Sequence, residues 1–543
     1  MMQKYLPSLI FALAFCVTAD AAVTDAELVS PGAYPVMKGA PHNPVAALNL
    51  TTDGGSASLP ASVSLHVTKA DQVAAVSLHY GDEKGSRFGG CIGKGKVGAD
   101  GKVSIKCHKP KEAPTYGLPA DKLKAMQDGF STERIWVLVT PSKKAKVGAQ
   151  ITLSGDKVKV DGKELSIKTE KKVKQSIGYM VAMPGCNVGT RKCKAFRIPG
   201  LIRTEKGVLV GCFDARYNNE ADLCNDIDVA VVRSNDGGQT WTAPAVGMDM
   251  GEGGNNGCGD PCILQDKKGR LWMQALTCHF GGGASLARSK AGFDEHETGQ
   301  WCMVTSDNDG KTWSKTPINP TKSIKKAEWT CILAGPGCGI CTSKGVIVFP
   351  AQIWQNGANP RCMSTICSSS DGGKTWKYGT GIPHATSECQ VVELSDGSLM
   401  LNCRNEARSG KRIIYTTTDL GDTWTPHETN NSALREPTCQ GSLVAIDVKD
   451  KGRYLFFSNP KAGARSNMTV RASSDDGKTW NEGYEYDTRN CMGYSCIALA
   501  DDKTLGIIYE TVHADPETGM RGIGFVRVPI RKVLGKDDGK EEE

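Results

Sequence analysis

The sequence predicts an all-β protein, a repeat-built propeller preceded by a smaller β-sandwich, and three observations predict it. Glycine is abundant, at 62 of 543 residues, without the three-residue period of collagen, which calls for many tight turns. An eight-residue box ending in tryptophan recurs five times between residues 234 and 480. Ahead of it, residues 23–170 run as short alternating segments such as Val63-Ser64-Leu65-His66-Val67 and Ile135-Trp136-Val137-Leu138-Val139. Gly, Pro and Asp turns separate them, the pattern of a sandwich. With 39% hydrophobic and 23% charged residues, the chain is too apolar to be disordered and long enough to bury a sizeable core.

The amino terminus reads as an export signal. Lys4 precedes an apolar run from Leu6 to Val17, and Ala19-Asp20-Ala21 places small residues at −3 and −1 of a cleavage site near Ala21 or Ala22. That run is too short to span a bilayer, and no other stretch reaches about 18 apolar residues. Phe15 before Cys16 is too bulky for a lipoprotein signal, so the expected location is secreted, periplasmic or cell-surface without a lipid anchor. Beyond Cys16 twenty cysteines remain, and disulfides are the default in an exported chain, with Cys91–Cys107 and Cys186–Cys193 as local candidates. Cys338-x-x-Cys341 has no second pair at zinc-ligand spacing, and His279, His384 and His513 show none either, so neither a metal nor another cofactor is expected.

The expected organisation is a signal peptide over 1–21, a sandwich over 22–175, a propeller over 178–534 and a charged tail over 535–543. A Lys-rich stretch, Lys168 to Lys174, marks the boundary at roughly 172–180, and a short helix is expected at 120–127. The net charge of +7 is uneven: residues 22–178 hold 23 Lys+Arg against 15 Asp+Glu. Because 21 of those 23 are lysines scattered singly, they describe a solvated face rather than the clustered, arginine-bearing stripe of a nucleic-acid site. Weak attraction to acidic glycans is the minor alternative.

The box has the consensus S-x-D-x-G-x-T-W. Its copies end at Trp241, Trp313, Trp376, Trp424 and Trp480, spaced by 72, 63, 48 and 56 residues, the length of a four-stranded blade with its loops. Asp and Ser/Thr side chains bond nearby backbone N–H groups, glycine takes a positive φ, and the tryptophan anchors the turn in apolar contacts. Asn308 replaces the aspartate in the second copy and Thr417 the serine in the fourth; Asn308 is expected to weaken its turn. The boxes specify turns, not chemistry.

Between the boxes lie the residues that carry chemistry: Phe196-Arg197-Ile198-Pro199, Phe213-Asp214-Ala215-Arg216 with Asp222 beyond it, Gly259-Asp260-Pro261 and Ser387-Glu388-Cys389-Gln390. Asn402-Cys403-Arg404-Asn405, Ala464-Arg465-Ser466-Asn467, Gly493-Tyr494-Ser495 and Ile508-Tyr509-Glu510 complete the set. The F-R-I-P motif followed by repeated Asp boxes resembles the bacterial exo-α-sialidases, whose fold is a six-bladed propeller. That resemblance extends from residue 178 to about 530.

The resemblance implies hydrolysis of terminal sialic acids on mucin-type and other glycoconjugates, with retention, through a covalent sialosyl–tyrosine intermediate. It places the arginine triad that holds the substrate carboxylate on Arg197, Arg404 and Arg465, braced by Glu510. Guanidinium forks suit that task better than lysine's point charge. Tyr494 is then the nucleophile, Glu388 the base that takes its proton, and Asp222 the acid/base at the leaving oxygen. A neutral phenol approaches an anomeric centre bearing a carboxylate more easily than another carboxylate does. Arg216 and Asp260 fall on positions that line the hydroxyl side of the sugar.

Each assignment has a plainer counterpart. Arg203, Arg270 and Arg288 read as surface residues, Tyr494 alone reads as a core aromatic, and Asp260 reads equally as an Asp-Pro turn residue. Asp214 either bonds Arg216 or contacts substrate. Cys389 and Cys403 flank the catalytic motifs, and pairing between them would brace the pocket floor. The rival activities are trans-sialylation, inter- or intramolecular, and, from another class, non-catalytic binding of sialoglycans. The sandwich loosely resembles domains that precede the propeller in some gut-bacterial sialidases, where it is either a carbohydrate binder or a spacer. Removing residues 22–175 is expected to spare hydrolysis of a small soluble substrate.

Overall fold

The computed structural model describes residues 21–535 apart from 41–42, 84–87, 111–123, 125–129, 170–172, 252, 254–255, 281–287, 358, 360 and 513–520. The signal peptide and the last residues of the tail lie outside the described residues, as does the helix expected at 120–127 but for Lys124. Among the described residues no helix is long and apolar enough to cross a membrane. The architecture is all-β, a six-bladed propeller with a β-sandwich in front of it.

In the sandwich, a five-stranded antiparallel sheet centred on Arg134–Pro141 faces a sheet built on Ser62–Val67, Lys102–Lys106 and Gln150–Val160. Period-two alternation drives this packing. In Ser62–Val67, Val63, Leu65 and Val67 point inward and meet Leu78, Ile105, Val137 and Ile151 in one core cluster.

The propeller blades are antiparallel meanders whose first strands converge on the central axis: Ala195–Arg203, Gly257–Gln265, Thr386–Glu393, Ser442–Val448 and Ser495–Asp501. In the third blade the innermost position is divided among three short strands, Cys331–Ala334, Gly337–Cys338 and Ile340–Cys341. These central strands are largely buried, because blades cover both of their faces.

All five boxes form the same turn. In the first, the Ser234 hydroxyl accepts from Gly238 N at 2.8 Å while Asp236 accepts from Thr240 N at 3.0 Å and from Thr240 Oγ1 at 2.5 Å. Gly238 has φ 86°, and an added Cβ would lie 2.1 Å from the Phe525 ring. Three box tryptophans reach the preceding blade: Trp241 meets Phe525 and Trp376 meets Trp272 in edge contacts, and Trp424 donates to Thr380 O at 2.7 Å, whereas Trp480 meets Phe457 of its own blade. Those three boxes thus fasten blade to blade. Asn308 does not weaken its turn: its Oδ1 accepts from Thr312 N at 2.9 Å, and its amide donates to Thr312 Oγ1 at 2.8 Å, reversing one hydrogen bond without losing it.

The expected disulfides are not formed. All twenty described cysteines are free thiols, including Cys91, Cys107, Cys186 and Cys193. Most are buried among apolar side chains and behave as small hydrophobes. Cys389 and Cys403 stand directly opposite each other across two strands, yet they too are free, and the Cys389 thiol points to Ala351 O at 3.2 Å.

The sandwich is welded to the sixth blade. Strand Val173–Ala182 pairs through Val173–Ser176 with Gln150–Val160 of the sandwich, and through Tyr179–Ala182 with Arg521–Pro529 as the blade's outer strand. Arg489 lies over the Tyr34 ring at 5.4 Å, and the Gln239 amide and the Val147 backbone exchange hydrogen bonds of 2.8 and 2.9 Å. A chain lacking residues 22–175 loses half of this strand's pairing and exposes the apolar edge of the blade. Such a truncation is expected to be less heat-stable and less soluble than the whole protein. Thermal unfolding checks this; an unchanged Tm with full hydrolysis would contradict it.

Candidate active site

The functional side chains gather at one end of the inner strands because those strands begin with bulges. In Ala195–Arg203 the register with its neighbour breaks between Arg197 and Gly200, and Ile198 adopts φ 60°. In Gly257–Gln265 it breaks between Gly259 and Cys262, with Asp260 at φ 55°. In Thr386–Glu393 it breaks between Thr386 and Cys389, so that Ser387 and Glu388 together oppose Arg404. Bulges re-aim side chains, here toward the axis.

Tyr494 sits at the centre, 5% exposed, immediately before the inner strand of the sixth blade. Its hydroxyl donates to Glu388 Oε1, and Arg404 Nη1 approaches the same hydroxyl at 3.3 Å and Glu388 Oε2 at 2.9 Å. The guanidinium carbons of Arg197 and Arg465 lie 5.4 and 5.7 Å from the centre of the tyrosine ring. Three arginines from the first, fourth and fifth blades therefore surround one phenol. Burial, and next the negative charge of Glu388, pushes that phenol well above its usual range. It stays protonated at neutral pH unless a base takes the proton in the reaction itself.

Glu510, 1% exposed, braces two of these groups. Its Oε1 accepts from Arg197 Nε at 2.5 Å and from Ile198 N at 3.0 Å, while Oε2 accepts from Tyr494 N at 3.2 Å. Burial works against the charge on Arg197, but Glu510 together with Tyr494 and Asp222 more than offsets it and holds the guanidinium charged. For Arg404, Glu388 and Glu406 do the same against burial. Arg465 has no carboxylate partner among the described residues; it donates to Met492 O at 3.0 Å and Thr438 O at 3.3 Å.

On the opposite wall Arg216 is buried and bonded to Asp214 at 2.8 and 3.2 Å, and its Nη1 is 2.8 Å from Asp222. Asp222 lies in the loop after strand Leu209–Arg216 and is 74% exposed, facing the mouth. Asp214 also accepts from Asp260 N at 2.9 Å, so it holds two wall residues rather than facing the cavity. Burial pushes the Asp214 carboxyl up to about 6 despite Arg216, and burial with the charges of Asp214, Asp222 and Glu388 raises Asp260 well above the usual carboxylate range. Arg197, Arg216, Asp222, Asp260, Glu388, Arg404, Arg465, Tyr494 and Glu510 thus come to this end of the molecule. The other end of the inner strands opens on a cavity of about 670 Å³ lined by Arg203, Lys267, Glu393 and Arg453, whose cations are each engaged with protein oxygens.

Residues 222–507 match the family described as BNR repeat-like domain. A sialidase of Bacteroides fragilis is 38% identical over 391 residues, covering 69% of this chain and 70% of that protein. The chain belongs to the sialidase family. The solved structure named "Hadza microbial sialidase Hz136" shares 29% identity at a TM-score of 0.79, over 93% of this chain and all of that one. Trypanosoma rangeli sialidase in complex with the inhibitor DANA superposes over 64% of this chain and 57% of its own at a TM-score of 0.52, with 25% identity. The protein is accordingly a glycoside hydrolase with an exo-sialidase propeller.

The sequence did not single out the groups that stiffen the enzyme's arginine wall. Arg412 and Glu436 form an ion pair at 3.2 Å, fully buried between the fourth and fifth blades. Glu436 also accepts from Asn405 N at 2.7 Å, beside Arg404, and from Cys439 N at 3.0 Å, beside Thr438. Thr438 is held at φ 54° and presents its carbonyl to Arg465. The pair therefore fixes the backbone behind two of the three arginines. Losing one partner of a buried pair costs about 3–5 kcal/mol. Glu436→Ala is expected to lower unfolding stability by about that amount in a denaturant titration; a loss under about 1 kcal/mol would show that the pair is not a brace.

Proposed function

We propose that the chain is an exported, retaining exo-α-sialidase that removes terminal sialic acids from glycoproteins, glycolipids and oligosaccharides through a sialosyl–Tyr494 intermediate. The observation that carries this reading is the Tyr494 hydroxyl bonded to Glu388 in the midst of Arg197, Arg404 and Arg465. The names printed for the related proteins, sialidases of Bacteroides fragilis and Paraclostridium sordellii, support the substrate class. The apolar run after Lys4 supports export.

In this reading the three guanidiniums fix the carboxylate on the anomeric carbon by charge-assisted hydrogen bonds. That holds the carbon over the Tyr494 oxygen. The phenol oxygen bonds to the anomeric carbon as its proton passes to Glu388, and the glycosidic bond breaks with Asp222 donating a proton to the departing oxygen. Exposure of Asp222 at the mouth suits it to meet the leaving group. In the second half Asp222 takes a proton from water, the water oxygen bonds to the same carbon, and the Tyr494 oxygen leaves with the proton returned by Glu388. Two inversions at one carbon give net retention. Arg216 and Asp260 line the far wall, where hydroxyls of the sugar would lie.

Three outcomes test the proposal. Tyr494→Phe is expected to lose at least about 10³-fold in kcat on a soluble α-sialoside with the fold intact; near-normal turnover would remove Tyr494 as nucleophile. Arg404→Lys is expected to lower kcat/KM by roughly 10–100-fold, because the planar fork is lost while the charge remains; an unchanged kcat/KM would take Arg404 out of the clamp. Proton NMR of the first-formed product is expected to show free α-sialic acid. The β-anomer would contradict retention, and an anhydro sugar or sialylated acceptor would point to the trans-sialylation rivals.

A further inference from the structure

Glu406, which helps to keep Arg404 charged, takes no part in the reaction set out above. Its carboxylate lies 3.0 Å from Arg404 Nε and accepts a 2.5 Å hydrogen bond from the buried Ser387 hydroxyl. Glu406 N donates to Ala385 O at 3.0 Å, continuing the strand pairing just past the bulge. Ser387 and Glu388 are the two bulged residues that face Arg404, so Glu406 ties the bulge shut from the arginine's side.

The base needs this help because Glu388 faces two demands at once. It bonds Arg404 Nη1 at 2.9 Å and also receives the Tyr494 hydroxyl. An arginine given wholly to Glu388 would have less to offer a substrate carboxylate, and its charge would oppose protonation of Glu388. The Glu406 carboxylate lies 3.0 Å from Nε without forming a hydrogen bond to it, so it steadies the guanidinium and shares its charge as an ion pair. We propose that Glu406 is a positioning residue that steadies Arg404 through its charge and closes the Ser387–Glu388 bulge, leaving Arg404 able to meet the substrate carboxylate and Glu388 free for the Tyr494 proton. This role rests on the reading of Arg404 and Glu388 in the proposed reaction.

The charged and titratable groups that face Glu388 are Tyr494 and Arg404 in contact, with Asp260, Arg465 and Cys439 acting through their charges from neighbouring blades. Glu406 itself faces Arg404 and lies near the Cys362 thiol. Removing its charge leaves Glu388 under a fuller positive field, which favours the carboxylate and moves the acid limb of kcat/KM toward lower pH. A merely structural residue would not move that limb.

The test is steady-state kinetics of the full chain on a soluble α-sialoside across pH, for wild type, Glu406→Gln and Ser387→Ala, with thermal unfolding of each. Glu406→Gln is expected to keep its Tm, to raise KM about tenfold with kcat changed less than about threefold, and to shift the acid limb down by about half a pH unit. Ser387→Ala keeps the charge, so it is expected to raise KM less and to leave the limb in place. A Glu406→Gln protein matching wild type in KM and in its acid limb would overturn the proposal while the sialidase reading stands. A wild type that cleaves no sialoside would overturn that reading and this role with it. Should Glu406→Gln lose its fold, Glu406→Asp decides: a raised KM with an unmoved limb supports the role, and an unchanged KM overturns it.

Discussion

Three guanidiniums that face one phenol are a liability before they are a binding site, and the structure depends on how that repulsion is contained. Arg197 is neutralised by Glu510 and Arg404 by Glu388 together with Glu406, while Arg465 leans only on two backbone carbonyls. The carboxylates sit behind or beside the arginines. Arg465 is then the one of the three guanidiniums with no carboxylate beside it among the described residues. An anionic sugar acid entering the site would meet that unpaired guanidinium and share the other two with their carboxylates. In the proposed reaction, negative charge grows on the Tyr494 oxygen as its proton moves to Glu388, with Arg404 Nη1 3.3 Å away.

Holding that arrangement is the work of the blades. Arg197, Asp260 and Glu388 stand at bulges of central strands and Tyr494 just before one. Arg216, Arg404 and Glu510 come from the neighbouring second strands, and Asp222 and Arg465 from loops. At the rim the box tryptophans Trp241, Trp376 and Trp424 each fasten a blade to its predecessor, so the spacing of those blades is fixed from outside as well as from the axis. Behind the wall, the buried Arg412–Glu436 pair ties the backbone beside Arg404 to the backbone beside Arg465. Positioning to within fractions of an ångström is what such chemistry demands of its scaffold. Strand Val173–Ala182 extends the same principle to the sandwich, since one strand belongs to both sheets.

What could be read from the sequence were the features with a local signature. The boxes announce their turns in eight residues, and Arg197, Arg404, Arg465, Asp222, Glu388, Tyr494 and Glu510 stand in short motifs in a telling order. The supports carry no such mark. Arg412 and Glu436 are 24 residues apart and look like two surface charges until the fold buries both. Glu406 had the one usable clue, since a residue two positions from Arg404 falls on the same side of a strand. Cysteine number suggested disulfides, but the thiols are scattered over many strands as apolar filler, and a count carries no information on whether two sulfurs meet. The shared strand 173–182 was hidden for a similar reason, because its partners Leu153 and Phe525 lie on opposite sides of it in the chain.

The most direct measurement is mass spectrometry of the protein after brief treatment with 2,3-difluorosialic acid, whose electron-poor ring slows departure of the enzyme's oxygen. The account predicts one sugar per chain, carried on the peptide that contains Tyr494, and no adduct in Tyr494→Phe. A sugar attached to Glu388 or Asp222, or a trapped Tyr494→Phe protein, would contradict it.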